Sequence, residues 1–219
     1  MHKPNWSYPG SRWWKFDFHT HTPASTDTRA WQQAIGSAQE VTAEKWLLKY
    51  MTAGIDCVAV TDHNSGAWID TLKLAYASMK TQADAGQAPE GFRELFLFPG
   101  VEISVNGGVH LLAIFDTNAT TRTMTDLLAQ VEYQGTDGDS DGVTKKSAEE
   151  VIRQVLQAGG IPIPAHADKE KGLFALDSNT LKQVLAVEGL LAVEWCAAGT
   201  PTYPQAVQKL AQPLAWVLG

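Results

Sequence analysis

The sequence is poor in cysteine, in positive charge and in long apolar runs, and each shortage removes a class of function. Cys57 and Cys196 are its two cysteines in 219 residues, too few for a disulfide framework. Cys57 falls in the strand-like run GIDCVAVTDH, where a buried thiol is the ordinary reading. Cys196, just past AVEW, is less easily placed. No apolar stretch approaches the roughly 18 residues of a membrane-spanning helix, and the start, MHKPNWSYPGSRWW, has no apolar core of signal-peptide type. The expectation is a cytoplasmic protein without a membrane partner. Lys and Arg number 17 against 24 Asp and Glu, a formal charge of -7, so there is no basic footprint for non-specific nucleic-acid binding. Bound divalent cations would offset part of that charge, which keeps an anionic substrate compatible with it. Neither G-x-S-x-G nor a P-loop occurs, so nothing calls for a serine nucleophile or a nucleotide-cradling loop.

Hydrophobic residues make up 44% and charged residues 19% of the chain, the composition of a folded globular protein. With no internal repeat and no low-complexity linker, residues 1–219 read as a single domain. The apolar pattern predicts strands at 15–21, 55–63, 94–105, 108–115, 190–195 and 213–219, and a short strand and loop at 161–168. Helices are expected at 42–54, 67–86, about 121–133, 147–160 and 204–212. Thr42 and Gly54 bound the first helix, Ser147 and Glu150 form a capping-box pattern, and Asn106-Gly107-Gly108 reads as a hairpin turn. Repeated strand-then-helix units with apolar strands imply an α/β fold, with a parallel sheet either open or closed into a barrel. The polar stretches 81–93 and 134–146 read as surface loops. Within the second, D-G-D-S-D-G at 137–142 has the early carboxylates of a calcium loop, but its twelfth position falls on Ala148, so a solvated acidic loop is expected.

What the chain does have is a set of histidines in telling places. In WWKFDFHTHTPASTD, residues 13–27, His19 and His21 stand one residue apart where an apolar run ends. Alternate residues of a strand share a face, so both imidazoles can reach one cation; exposed imidazoles on an ordinary strand are the bland alternative. His63 follows AVTD, His110 lies in GVHLLAIF, and His166 follows IPIPA, all at or near strand ends, where α/β folds collect catalytic groups. Alone, His110 reads as a satisfied interior histidine and His166 as a loop residue. Glu102 in PGVEIS changes that balance, because a carboxylate inside an apolar strand is costly unpaired and a metal is a good partner for it. Asp27 and Asp62 are further oxygen ligands, or acceptors that orient imidazoles; Asp27, in S-T-D-T, also has the look of a turn or helix cap.

In combination, HTHTPASTD, AVTDHNS, FPGVEIS with a histidine eight residues on, and PAHAD resemble the successive motifs of the PHP (polymerase and histidinol phosphatase) family over nearly the whole chain. The wider stretches GSRWWKFDFHTHTPAS, AVTDHNSGAWI and GGVHLLAIF are most similar to the N-terminal PHP domain of bacterial PHP-associated ATPases of the TrlF type. The resemblance implies a distorted seven-stranded β/α, TIM-like barrel that holds two or three divalent ions, zinc, manganese or iron, and hydrolyses phosphoesters. It implies His19, His21, Asp27, His63, Glu102, His110 and His166 as metal ligands, with Glu102 bridging two ions, and Glu102, His63 and His166 as the catalytic set. The family's fourth motif, an aspartate and a histidine two apart, is not reached by PLAWVLG. The expectation is therefore an N-terminal fragment of a larger protein with a downstream ATPase domain as partner, or a site completed by another chain, and weakened or absent activity in this polypeptide alone.

Mixed imidazole and carboxylate ligation suits zinc, manganese or iron better than calcium or magnesium. Two such ions ~3.5–4 Å apart, bridged by Glu102, would clamp phosphate oxygens and lower the pKa of a shared water towards ~7, making hydroxide the nucleophile. The expected function is a metal-dependent phosphoesterase acting on a phosphate ester, a nucleotide or nucleic-acid end among them. The alternative is a metal-stabilised regulatory or interaction module without catalysis. Amidohydrolases also carry H-x-H on a first strand, but they need a bridging lysine and a late aspartate, whereas Glu102 takes the bridging place here.

Overall fold

A computed structural model of the chain describes residues 13–28, 41–197, 204–208, 210 and 213–219. Strand β1 (Phe16–Thr20), helix α1 (Ala43–Thr52), strand β2 (Cys57–Val60), helix α2 (Ile69–Asp84) and strand β3 (Phe96–Val105) follow in the predicted alternation. Thr42 caps α1 by accepting from the Lys45 amide. The three strands pair in parallel. β2 is buried at every position, which is why CVAV carries no polar alternation.

At Asn106-Gly107-Gly108 the chain turns straight back, with φ of +99° and +80° at the two glycines, values that favour residues without a Cβ. Strand β4 (Val109–Ile114) consequently runs antiparallel to β3. The hairpin read at 106–108 is thus present, and it makes the sheet mixed rather than parallel throughout, since so short a connection cannot make the crossover a parallel neighbour needs. Helix α3 (Thr121–Gln130), a small hairpin of β5 (Tyr133–Gln134) with β6 (Val143–Thr144), and helix α4 (Ala148–Gln157) then lead to β7 (Ile161–Pro164), antiparallel to β4. The sheet order is β1-β2-β3-β4-β7. Because β4 is its reversed strand, the start of β4 lies at the same mouth as the ends of the other four.

Past β7 come a 3-10 turn at Leu173–Ala175, helix α5 (Ser178–Leu185), strand β8 (Ala192–Trp195), the short helix α6 (Gln205–Gln208) and strand β9 (Ala215–Leu218). β8 pairs in parallel with β9 and lies beside β7, where the Ala167 amide donates to the Glu194 carbonyl at 2.9 Å. The result is a mixed α/β fold whose sheet curls into a half-barrel. Helix α5 is absent from the periodicity reading. Its start is Asp177, which accepts from the Asn179 and Thr180 amides, and it buries Leu181 and Val184. The helix expected at 204–212 is shorter than predicted among the described residues, with 209, 211 and 212 lying outside them.

Apolar side chains fill both sides of the sheet. Trp46, Leu47, Met51 and Leu72 of the first two helices pack on Val58 and Val60. Met124, Leu127, Val151 and Ile152 cover Val101, Ile103 and Leu111, and Ala59, Leu112, Ile114 and Ile163 form the inner face. No described helix is long and apolar enough to cross a membrane.

Candidate metal centre

Glu102 is the point on which the site converges, and strand pairing puts it there. On β3 it lies opposite Leu112 of β4, while His110 lies opposite Ser104. Diagonal neighbours share a face, and His110 Nδ1 stands 2.8 Å from Glu102 Oε1. Beyond the end of β2 the pairing with β3 continues as a bridge between His63 and Glu102. There the Glu102 amide donates to the Asp62 carbonyl at 3.0 Å, and the Asn64 amide to the Glu102 carbonyl at 2.8 Å. His63 Nε2 thereby comes within 3.0 Å of Glu102 Oε2. The end of β1 brings His19 Nε2 to 2.9 Å and His21 Nε2 to 3.6 Å of the same oxygen. His166, after β7, places Nε2 3.3 Å from Oε1, with its backbone at φ +32°, where a non-glycine residue is strained. The five histidines singled out in the sequence all face a carboxylate that is 1% exposed.

Asp27 stands behind His63 rather than among the donors around Glu102. Its Oδ1 lies 2.6 Å from His63 Nδ1, and its Oδ2 accepts from the Ser140 amide at 3.1 Å. Asp62 is fully buried and acts as an acceptor that holds the loop after β1. It takes the Thr22 amide at 2.6 Å, the Thr22 hydroxyl at 2.6 Å and the Ser25 hydroxyl at 2.8 Å. Ser25 Oγ in turn accepts the His63 amide at 2.9 Å and lies 3.1 Å from His21 Nδ1. The acidic loop expected to be merely solvated docks here as well. The Gly138 amide donates to the His63 carbonyl, the Thr26 amide to the Gly138 carbonyl, and the Asn64 side chain to the Asp139 carbonyl.

Glu194 of β8 is a site residue that the sequence reading passed over. Its two oxygens lie 3.0 and 2.9 Å from His19 Nδ1, and it is 3% exposed. The signal was the one that marked Glu102, an acid inside an apolar run, LLAVEW. Cys196 lies beside it with the thiol pushed up by burial and by the Glu194 and Asp168 charges. A cavity of about 510 Å³ opens along this side, lined by Phe16, Phe18, His19, His166, Glu194 and Cys196 among others.

The electrostatics of the cluster amount to a demand for positive charge. Burial pushes the Glu102 carboxyl up, but hydrogen bonds from His110, His166, His19 and His63 hold it well below the usual carboxylate range. Burial alone would lower His19; its bonds to Glu102 and Glu194 outweigh that and push it up to about 10. His63 is raised in the same way, burial being overcome by Glu102 and Asp27. His21, farther from any carboxylate, is left to burial and falls to about 4. Asp27, against a smaller burial effect, is held down at about 2 by Ser140 and His63.

Divalent cations fit this donor set. Ligand atoms of His19, His21 and Glu102 all lie within 4.8 Å of one another, and so do those of His63, Glu102 and His110. The two groups share Glu102, the arrangement of a bridging carboxylate, and their nitrogen and oxygen donors suit first-row transition ions.

No family model matches the chain, and no curated protein matches it in sequence. Solved structures do match. A lesion-specific endonuclease from Pyrococcus furiosus superposes over 84% of this chain and 42% of its own, at 15% identity and a TM-score of 0.57. The likeness is one of fold. A protein assigned as a metal-dependent phosphoesterase from Bifidobacterium adolescentis aligns over 83% of this chain and 77% of its own, at 18% identity and a TM-score of 0.52. The chain thus spans less than half the length of the first of these relatives in fold, and most of the second.

Proposed function

We propose that this chain is a metal-dependent phosphoesterase domain of PHP type. The observation that carries the reading is the sharing of one buried carboxylate, Glu102, by two groups of imidazole donors. His19 and His21 would hold one ion, His63 and His110 the other, and Glu102 both; a third position would draw on Asp27 or His166. Zinc, manganese or iron bound there would supply Lewis acidity towards a phosphate oxygen and lower the pKa of a water. Glu102 fixes the spacing of the two donor groups, Asp27 orients the His63 ring through Nδ1, and His166 stands beside His110 at the cavity edge, within reach of a bound ester. Glu102, His63 and His166 are the groups assigned to the chemistry.

Several features agree with the finer reading. The curled five-stranded sheet, with the β8–β9 pair beside β7, supports a barrel of PHP type. One relative in fold is named as a phosphoesterase and the other as an endonuclease, so nucleotides and nucleic-acid ends join simple phosphate esters as substrate classes. With a formal charge of -7, an anionic substrate would be gripped through bound ions rather than through a basic surface. A cytoplasmic setting and a following ATPase domain belong to the same proposal, on the strength of the motif resemblance.

The test is hydrolysis of an aryl phosphate and of an oligonucleotide by the full chain with manganese, compared with Glu102→Ala and His19→Ala. Turnover by the parent and its loss in both variants is expected; equal turnover in the variants overturns the assignment. Tight metal binding with no hydrolysis of either substrate would point instead to a metal-stabilised interaction module.

A further inference from the structure

We infer that Glu194 is a positioning residue of this centre: from the side away from Glu102 it fixes the tautomer of His19 and the backbone of His166. The inference rests on the metal-centred function proposed above. An imidazole can offer a lone pair to a cation through one nitrogen when the other carries the proton, and the partner of that second nitrogen decides which is which. His19 turns Nε2 to Glu102 at 2.9 Å and Nδ1 to Glu194 at 2.9 Å. An Nδ1 proton donated to Glu194 therefore leaves Nε2 bare for an ion at the His19, His21 and Glu102 group. Glu194 itself belongs to neither donor group, and among the described residues its ion pair is with His19.

The same carboxylate reaches a second element. Glu194 Oε2 accepts the His166 amide at 2.6 Å, at the residue whose φ of +32° needs support from its surroundings. One oxygen, Oε2, takes both the ring and the amide bond. This makes a sharp distinction available, because glutamine retains a single carbonyl oxygen able to accept both bonds, whereas alanine retains none.

The test uses the full chain with Glu194→Gln and Glu194→Ala, reading manganese and zinc affinity and stoichiometry by calorimetry and elemental analysis, and the His19 tautomer by nitrogen-15 NMR of the zinc-loaded protein, in which the ring is neutral. Alanine should weaken binding by about 10- to 100-fold at unchanged stoichiometry and lose the preference for protonated Nδ1, while glutamine stays within a few-fold of the parent and keeps it. Unchanged affinity in the alanine variant overturns the inference, as does a glutamine variant that loses a whole ion, which would make Glu194 a ligand. Should the alanine variant fail to fold, the glutamine variant decides: near-parent affinity with the tautomer kept supports the brace, and their loss refutes it. A parent chain that takes up no divalent ion defeats the proposed function and this inference together, whereas a parent that binds while alanine binds equally well removes Glu194 alone.

Discussion

Glu102 and the imidazoles around it hold one another through shared protons, and those protons set how the site responds to pH. His19 is raised from 6.5 to about 10, burial being outweighed by its bonds to Glu102 and Glu194. A base raised in the fold stabilises fully below 6.5, and the contribution is lost as pH climbs through 10. His21, lowered to about 4 chiefly by burial, is neutral in the fold and begins to cost stability as pH drops from 6.5 towards 4. Chelated protein should therefore melt at lower temperature on going from pH 7 to pH 10, and metal affinity should rise over the same range as ions displace protons. Calorimetric melts with and without manganese check both slopes; a flat alkaline limb would remove the His19 assignment. Asp62 tests the support beneath the donors. Truncating it to alanine leaves the Thr22 amide and the Thr22 and Ser25 hydroxyls without their acceptor, a loss on the order of 3 kcal/mol measurable by urea denaturation. At this scale the histidines and Glu102 were legible because their chemistry is declared by residue type and position. Glu194 carried the same signal as Glu102, an acid within an apolar run, but no histidine near it in sequence drew the reading to it, and Asp27 was legible as a site residue without its place behind His63.

Loop 134–144 shows what an element adds that its composition conceals. Read as sequence it is an acidic, glycine-rich loop; in the fold Gly138, at φ +85°, sits so close to the Ala24 carbonyl oxygen that an added Cβ would lie 2.0 Å from it. Gly138→Ala should therefore lift the loop from Thr26, Asp27 and His63. Hydrogen exchange at the Thr26 and Ser140 amides should quicken at least tenfold, and manganese affinity should fall; protection equal to the parent would show that the loop does not depend on this contact. The pairing of β5 with β6, two residues each, is too short to leave a periodic signature, and its docking is non-local. The antiparallel turn into β4 was legible, because Asn-Gly-Gly between two apolar runs announces a hairpin. Helix α5 was less so, its eight residues giving barely two turns of pattern behind the Asp177 cap.

For the molecule as a whole, the ends of β1, β2, β3 and β7 and the start of the reversed β4 meet at one mouth, so ions bound there would tie together segments from residue 19 to residue 166. An ion that binds the fold and not the unfolded chain should stabilise it by about 2.7 kcal/mol at a hundredfold excess over its dissociation constant. Manganese should raise the melting temperature by several degrees, and a chelator should reverse the shift; a melt indifferent to both would separate the cluster from metal binding. The alternation of strands and helices made the class of fold legible, while the cavity beside His19 is lined from β1, β7, β8 and β9, which no local pattern brings together. The most direct measurement is anomalous diffraction from crystals of this chain grown with manganese. A shared centre predicts at least two anomalous peaks, each within bonding distance of a Glu102 oxygen, one also touching His19 and His21 and the other His63 and His110. Peaks remote from Glu102, or none at full manganese loading, would contradict it.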